Sequence, residues 1–319
     1  MAFWRPAVLA LALLAPLAQA QTFPSKPLHM LVGFAPGGAN DILARIVSAR
    51  LAETLGQPVV VENRPGASGL IAAEALAKSA PDGYTLMLGS TGTQTMAPHL
   101  SHLNYDPVNG LTPVSLVGST PSALVVRSTL EAQNVEDLIE LAKKKRGLLS
   151  YASSGNGTTL HLAAVLFAQL AEIELVHVSY RGNAPALNDL LGGQVDMMFS
   201  AMPPLIPLAR AGKLKVLGVA SRERHHSAPD IPTIAEQGVK DYEASTWYGV
   251  FTTGHTPQPV VERLSAEVRK AVQDRKAREA ILAQGVDPKA NTSAEFKRYF
   301  DAEYARWGKV IRQSGIKPD

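Results

Sequence analysis

The 319-residue sequence contains no cysteine, which excludes disulfides, a thiol nucleophile and thiolate metal sites. Stability must therefore come from packing. Other chemical signatures are missing as well. There is no G-x-S-x-G elbow for a serine hydrolase, and the eight histidines form no H-E-x-x-H. His99 and His102 lie three apart and His225 and His226 are adjacent, but neither pair has an acid at a familiar metal-site spacing. Neither G-x-x-x-x-G-K-S/T nor a full G-x-G-x-x-G is present, so a nucleotide phosphate loop is not expected. No catalytic group, metal or cofactor is expected.

Charge of one sign is also scarce. Lys plus Arg number 31 and Asp plus Glu 28, giving a formal net charge of +3. A dedicated nucleic-acid surface needs clustered base, and the one basic run, Lys143 to Arg146, follows the helix-like EDLIELA stretch, where cations complement a helix C-terminus. Long apolar runs are confined to the start. MAFWR supplies a basic n-region, Ala7 to Ala18 an apolar h-region and Ala18-Gln19-Ala20 a small-x-small site. Residues 1–20 thus read as a secretory signal peptide cleaved after Ala20, and the run is too short for a retained membrane span.

At 46% hydrophobic and 18% charged residues, the rest reads as globular and long enough for two domains. Short apolar runs alternate with helical patterns. Leu28 to Phe34, Val59 to Val61 and Tyr84 to Gly89 read as strands, with Ile42, Leu43, Ile46, Val47 and Leu51 on one helix face between the first two. A second block repeats the pattern, with strands near Leu148 to Ala152, Leu175 to Ser179, Val195 to Phe199 and Val216 to Ala220. Strands and helices in alternation predict parallel sheets covered by helices. Two long extended stretches, Leu116 to Arg127 and Thr246 to Thr253, read as chain crossings between the blocks. The first domain is then discontinuous, 21–124 plus 249–319, and the second spans 125–248. After Thr256 the pattern is helical, and Phe296, Tyr299, Phe300, Tyr304 and Trp307 form a packing stripe.

Two glycine-rich turns stand where an α/β sheet places ligands, at the carboxyl end of a strand and the entrance of a helix. In 33-GFAPGGANDILAR-45 the turn ends at helix amides that favour negative charge, and Asn40 or Asp41 is placed to cap that helix. By itself this could equally be a tight turn. The stretch 153-SSGNGTTLHL-162 repeats the arrangement and adds the hydroxyls of Ser153, Ser154, Thr158 and Thr159. One such turn in each block is what two halves closing on a small anion need. His161 reads as either cleft lining or core. Arg181 could fork to a carboxylate or pair with a neighbouring acid, and Asp196 reads as structural.

Six stretches together, GFAPGGANDILAR, VVVENRPGASG, PDGYTLMLGS, SSGNGTTLHL, YRGNAPALNDLLGGQVD and DIPTIAEQG, resemble the Bug-type solute receptors of the tripartite tricarboxylate transporters. The resemblance runs from about Thr22 to the C-terminus. It implies an α/β, two-domain, periplasmic-binding-protein-like (type II) fold with crossing hinge strands, closing on a small organic acid. It further implies that backbone amides and waters hold a carboxylate between Phe34, Ala35, Pro36, Gly37, Gly38 and Ala39 on one side and Ser154, Gly155, Asn156, Gly157, Thr158 and His161 on the other. Ser90, Thr91, Arg181, Gly182, Ser200, Ala201 and Met202 are candidate wall residues. The expected protein is a periplasmic monomer that hands a mono-, di- or tricarboxylate or an amino acid to membrane permease subunits. A ligand-sensing partner of a membrane sensor kinase and an exported enzyme are the competing readings.

Overall fold

The computed structural model describes residues 23–180, 182–202, 205–225 and 228–316. The leader proposed for residues 1–20 and Arg181 lie outside the described residues. Two sheets organise the chain. The first has six strands in the order β11-β4-β10-β3-β1-β2, comprising β1 (Leu28–Val32), β2 (Val59–Asn63), β3 (Thr85–Ser90), β4 (Leu111–Thr120), β10 (Thr246–Thr253) and β11 (Asp287–Pro288). The second has five in the order β7-β6-β8-β5-β9, comprising β5 (Ser122–Arg127), β6 (Ser150–Ser153), β7 (Val176–Ser179), β8 (Met197–Ala201) and β9 (Leu214–Val219).

The local reasons are ordinary ones. In β1, Leu28, Met30, Leu31 and Val32 are all buried, as required of a strand flanked by β2 and β3 with helices on its faces. Helix α1 (Ala39–Leu55) buries Leu43, Val47 and Leu51, spaced four apart, and stops at Gly56 in the left-handed region (φ 67°). Each such leucine removed from water stabilises the fold by about 1.5–3 kcal/mol. Helix α3 (Val135–Lys144) is capped by the Asn134 side chain, which accepts the Asp137 N–H at 2.8 Å, and ends in Lys143 and Lys144. The basic run is thus a solvated helix end.

The expectation of parallel sheets needs correction. β1 pairs parallel with β2 and β3, and β6 with β7 and β8, but β10 runs antiparallel to both β3 and β4, and β5 antiparallel to β8 and β9. The antiparallel members are the crossing segments, which enter each sheet without an intervening helix to reverse them. The first crossing is two strands with a break at Pro121. Ser122 to Leu124 pair with Ala201 to Phe199, and Thr246 to Tyr248 pair with Thr120 to Gly118. By pairing, then, the chain changes sheet at Pro121 and ahead of Thr246, a few residues before 124/125 and 248/249, because propensity marks an extended run without marking which sheet it joins.

The remaining helices cover the sheets: α2 (Leu70–Ala77), α7 (Gln258–Gln273) and α8 (Arg275–Ala283) around the first, and α4 (Thr159–Ala171), α5 (Asn183–Leu191) and α6 (Leu205–Arg210) around the second. Helix α9 (Ser293–Ser314), opened by a Thr292–Glu295 capping box, serves both. Its Phe296 and Phe300 join Trp247 and Phe251 in the core of the six-stranded sheet. Its Trp307, Val310 and Ile311 join Leu124, Phe167 and Phe199 in that of the five-stranded one. The aromatic stripe is a packing surface, with Tyr299 and Tyr304 half-buried at its margin. Among the described residues no helix is long and apolar enough to cross a membrane.

Candidate functional site

The turn after β1 is held by an acid. Gly33 packs so closely on the next turn that a Cβ would lie 2.6 Å from Gly69 Cα, and Gly37 takes a φ of +87°. The N-cap of α1 is Gly38, with no side-chain cap, rather than Asn40 or Asp41. Asp41 instead sits in the first turn and reaches back to accept the Gly37 N–H at 3.0 Å, while also accepting Asn63 Nδ2 at 2.9 Å and Arg45 Nε at 3.0 Å. The Arg45 bond foremost, with Gly37 and Asn63, holds the Asp41 carboxyl down at about 2 against the opposing effect of burial.

The turn after β6 is held without charge. Thr158 caps α4, its Oγ1 accepting the His161 N–H at 3.3 Å while donating to Gly155 O at 2.8 Å. Gly157 N–H donates to His161 Nδ1 at 2.9 Å. His161 is 5% exposed and stacks on His177 with centroids 4.0 Å apart and 7° between planes, and Tyr151 lies beside the pair, 4.8 Å from His177 and 6.1 Å from His161. Burial, with His177 adding, pushes the His161 pKa down to about 4, and burial also lowers that of His177. Both rings are neutral at pH 7. His177 Nε2 lies 2.7 Å from Ser153 Oγ. That pair has the spacing of a nucleophile and its base, yet Ser153 is fully buried and away from any opening.

Both turns meet one cavity of about 310 Å³. Phe34 and Asn40 reach it from the α1 entrance, and Asn156, Gly157, Thr158 and Thr159 from the α4 entrance. Its floor is the end of β3 and the π-turn that follows (Gly92–Met96), through Ser90, Gly92 and Thr93, with Ser68 beside them. Thr246 and Tyr248 of the crossing strand β10 close one side. Ala97, Leu100 and Ile316 supply an apolar edge, and Ser101 a hydroxyl. No charged side chain is among the described lining residues. Asn40 Oδ1 is buried with no hydrogen-bond partner among the described residues, and since amide O and N are interchangeable by a flip, this group offers either polarity to an occupant. First-turn helix N–H groups, hydroxyls and carboxamides are anion donors. None of the described lining residues is a general base.

Of the residues singled out from sequence, Phe34, Ser90, Asn156, Gly157 and Thr158 line this cavity. Ala35, Pro36, Gly37, Gly38 and Ala39 form the exposed turn outside the lining, and the Gly37 amide is engaged by Asp41. Thr91 is buried below the floor, its Oγ1 accepting the Trp247 N–H at 2.8 Å. Ser154 and Gly155 shape the second turn from behind, Ser154 Oγ donating to Thr158 Oγ1 at 3.3 Å. His161 is neither lining nor plain core but a prop beneath Gly157. Gly182 is the N-cap of α5, Ser200 Oγ bonds the Asn183 amide at 3.0 Å, Ala201 ends β8 and Met202 is buried in the core, so none of these four reaches the cavity. Asp196 ties strands together, accepting Ser150 N–H at 2.9 Å and Arg127 Nε at 3.0 Å. His99 is structural, its Nε2 lying 3.0 Å from Tyr304 O. Among the described residues no cluster of three His, Asp or Glu is placed to hold a metal. Sequence reading missed Asn40 as lining, Thr93, Tyr248 and Ile316. The TWYG run and the S-T-G-T that ends β3 were available signals, and Ile316 had none.

Comparison with known proteins finds relatives along most of the chain. The model of the tripartite tricarboxylate transporter family receptor matches residues 43–316. A UPF0065 protein from the tcbD–tcbE intergenic region of Pseudomonas sp. strain P51 is 40% identical over 91% of this chain and 86% of its own length. Protein BugT of Bordetella pertussis is 36% identical over 93% and 92%. The structure of R. palustris Rpa4515 with adipate superposes with a TM-score of 0.75 at 35% identity, covering 93% of this chain and all of that one. With two sheets, crossing strands and paired helix entrances in place, the chain belongs to the Bug-type receptors of the tripartite tricarboxylate transporter family.

Proposed function

We propose that this protein is a periplasmic solute-binding receptor that captures a small organic carboxylate between its two sheet units and delivers it to membrane permease subunits. One observation carries the reading: two helix entrances, one from each sheet, open on the same cavity, whose lining offers neutral donors and no cation among the described residues. Such donors suit a carboxylate held by oriented dipoles, and the edge formed by Phe34, Ala97, Leu100 and Ile316 suits a ligand with a hydrocarbon segment. The adipate bound to Rpa4515 is of that kind. Phe34, Ser90, Asn156, Gly157 and Thr158 are the proposed contacts. The exposed Pro36–Ala39 turn and Arg181 join them on closure, and the two domains divide near 124 and 249. Residues 1–20 act as the leader, and the mature monomer starts at Gln21.

The test is a thermal-shift screen of refolded, ligand-stripped Gln21–Asp319 against aliphatic, hydroxylated, aromatic and amino-acid carboxylates. A ligand at one hundred times its Kd stabilises by about 2.7 kcal/mol, readily seen in a melting curve. A folded protein stabilised by no acid in the panel would sink the reading. Thr158→Val, which removes the α4 cap, and Asn156→Ala should each weaken a confirmed ligand at least several-fold, and unchanged affinity in both would remove the second turn from the site.

A further inference from the structure

The prop beneath the second turn is a pair of histidine rings, and histidine is the side chain whose donor and acceptor pattern changes in mild acid. Gly157 N–H donates to His161 Nδ1, so the neutral ring carries its hydrogen on Nε2. A protonated ring has N–H at both positions. Nδ1–H would then face the Gly157 N–H, two donors at a separation of 2.9 Å, and the contact cannot persist. His177 differs. Its Nε2 faces Ser153 Oγ, a hydroxyl that can accept from a charged ring while donating to Gly155 O at 3.1 Å. A first proton is therefore accommodated on His177, and a second on His161 both meets a like charge across the 4.0 Å stack and breaks the Gly157 bond.

We propose that His161 is the positioning residue of the ligand cavity, holding Gly157 in the wall while its ring is uncharged and releasing the turn when it gains a proton. The inference rests on the reading of the cavity as the ligand site. Gly157 is flanked by Asn156 and Thr158, and all three line the cavity, so the release of one amide moves a continuous stretch of wall. The titratable groups facing His161 are Tyr151 on β6 and His177 on β7. Strand β8 and helix α9 bring apolar side chains, Phe199, Trp307 and Val310 among them, to the core that α4 joins, and among the described residues the charge acting on His161 is that of His177. Among the described residues no carboxylate stabilises the imidazolium. The stack itself follows from register, since Tyr151 and His177 are partners in the parallel β6–β7 pair, which puts the His177 ring under the first turn of α4.

The test follows the ligand-free protein first. In isotope-labelled Gln21–Asp319, the Gly157 amide signal is recorded alongside the His161 ring protons from pH 7.5 to 3.5. The expected result is one shared midpoint, well below that of an ordinary histidine. His161→Asn, whose carboxamide oxygen takes the place of Nδ1 without titrating, should abolish the Gly157 transition. His177→Asn should keep it and move the midpoint upward. Adipate then serves as the probe: the ratio of the wild-type to the His161→Asn dissociation constant should rise by about threefold or more between pH 7 and pH 3.5, the titration of the probe itself cancelling in the ratio. A Gly157 signal that stays still while His161 titrates, or moves identically in His161→Asn, overturns the proposal. If adipate binds neither protein, the choice of ligand fails and the amide titration alone decides. Should His161→Asn not fold, the wild-type titration still decides.

Discussion

The two helix entrances do the same job with opposite chemistry. The turn into α1 is fixed by a buried carboxylate that engages Gly37, Asn63 and Arg45, and the turn into α4 by a neutral network of Thr158, His161, Ser153 and His177. Asp41, held at about 2, keeps its charge through any ordinary pH, whereas His161, held at about 4, keeps its neutrality only down to mild acid. A cavity lined by dipoles can thus be supported from one side by an ion and from the other by an uncharged ring, and the two sides fail under different conditions.

The largest effect that would sharpen this contrast is acid sensitivity. Because the folded pKa of His161 is depressed, the unfolded chain binds more protons, and stability is complete above the unfolded value of about 6.5 and lost as pH falls toward about 4, on the order of 3 kcal/mol. His177 and His99, lowered by burial, add in the same direction. Urea midpoints at pH 7 and pH 4.5 measure the loss, which His161→Asn should flatten. Next in size is Asp41→Ala, expected to cost about 2 kcal/mol, since the contribution of a depressed carboxyl is present above pH 3.8 and lost only as pH approaches about 2. A variant as stable as wild type at pH 7 would break the contrast at its charged side.

A smaller pair of changes compares the turns directly. Gly37 and Gly157 both take positive φ, so Gly37→Ala and Gly157→Ala should each cost about 1–2 kcal/mol in backbone strain. Only at residue 157 would the new Cβ meet a cavity residue, Leu100 Cδ1 at 2.8 Å, so ligand affinity should fall more for Gly157→Ala than for Gly37→Ala, as calorimetry would show. The smallest effect belongs to Arg146→Ala at the end of the basic run. Its pairing with Glu174 is largely exposed on both sides and screened by water, and the unfolding midpoint should not change measurably.

Much of this was legible in the sequence because it is local. Helix α1 announces itself through Leu43, Val47 and Leu51, and both glycine turns sit at the carboxyl ends of apolar runs. The direction of the crossing strands was not legible, because Trp247 reads as extended whichever neighbour it pairs with, and only the pairing with Ser119 reveals an antiparallel ladder. Pro-Gly-Gly drew attention by composition, yet the wall is made by Phe34 and Asn40 on either side of it, since the turn projects outward. Ile316 enters the cavity only because α9 crosses both cores and stops at Gly315, a placement set by tertiary packing far from the other lining residues. The His161–His177 stack escaped for the same reason: a helix and a strand meet through sheet register, which no single-chain pattern displays.

The straddling course of α9 also gives the molecule its own optical gauge. Beyond the N-terminal Trp4 the chain has two indoles, and they sit in different cores: Trp247 in the aromatic cluster of the six-stranded sheet and Trp307 in the core of the five-stranded one. Trp307 lies beneath the Arg306 guanidinium at 4.7 Å and donates to Glu303 at 3.2 Å, a polar setting that tunes its emission apart from that of Trp247. Because α9 contributes to both cores, the colour of each indole is expected to serve as a separate, label-free signal of the packing around its own sheet.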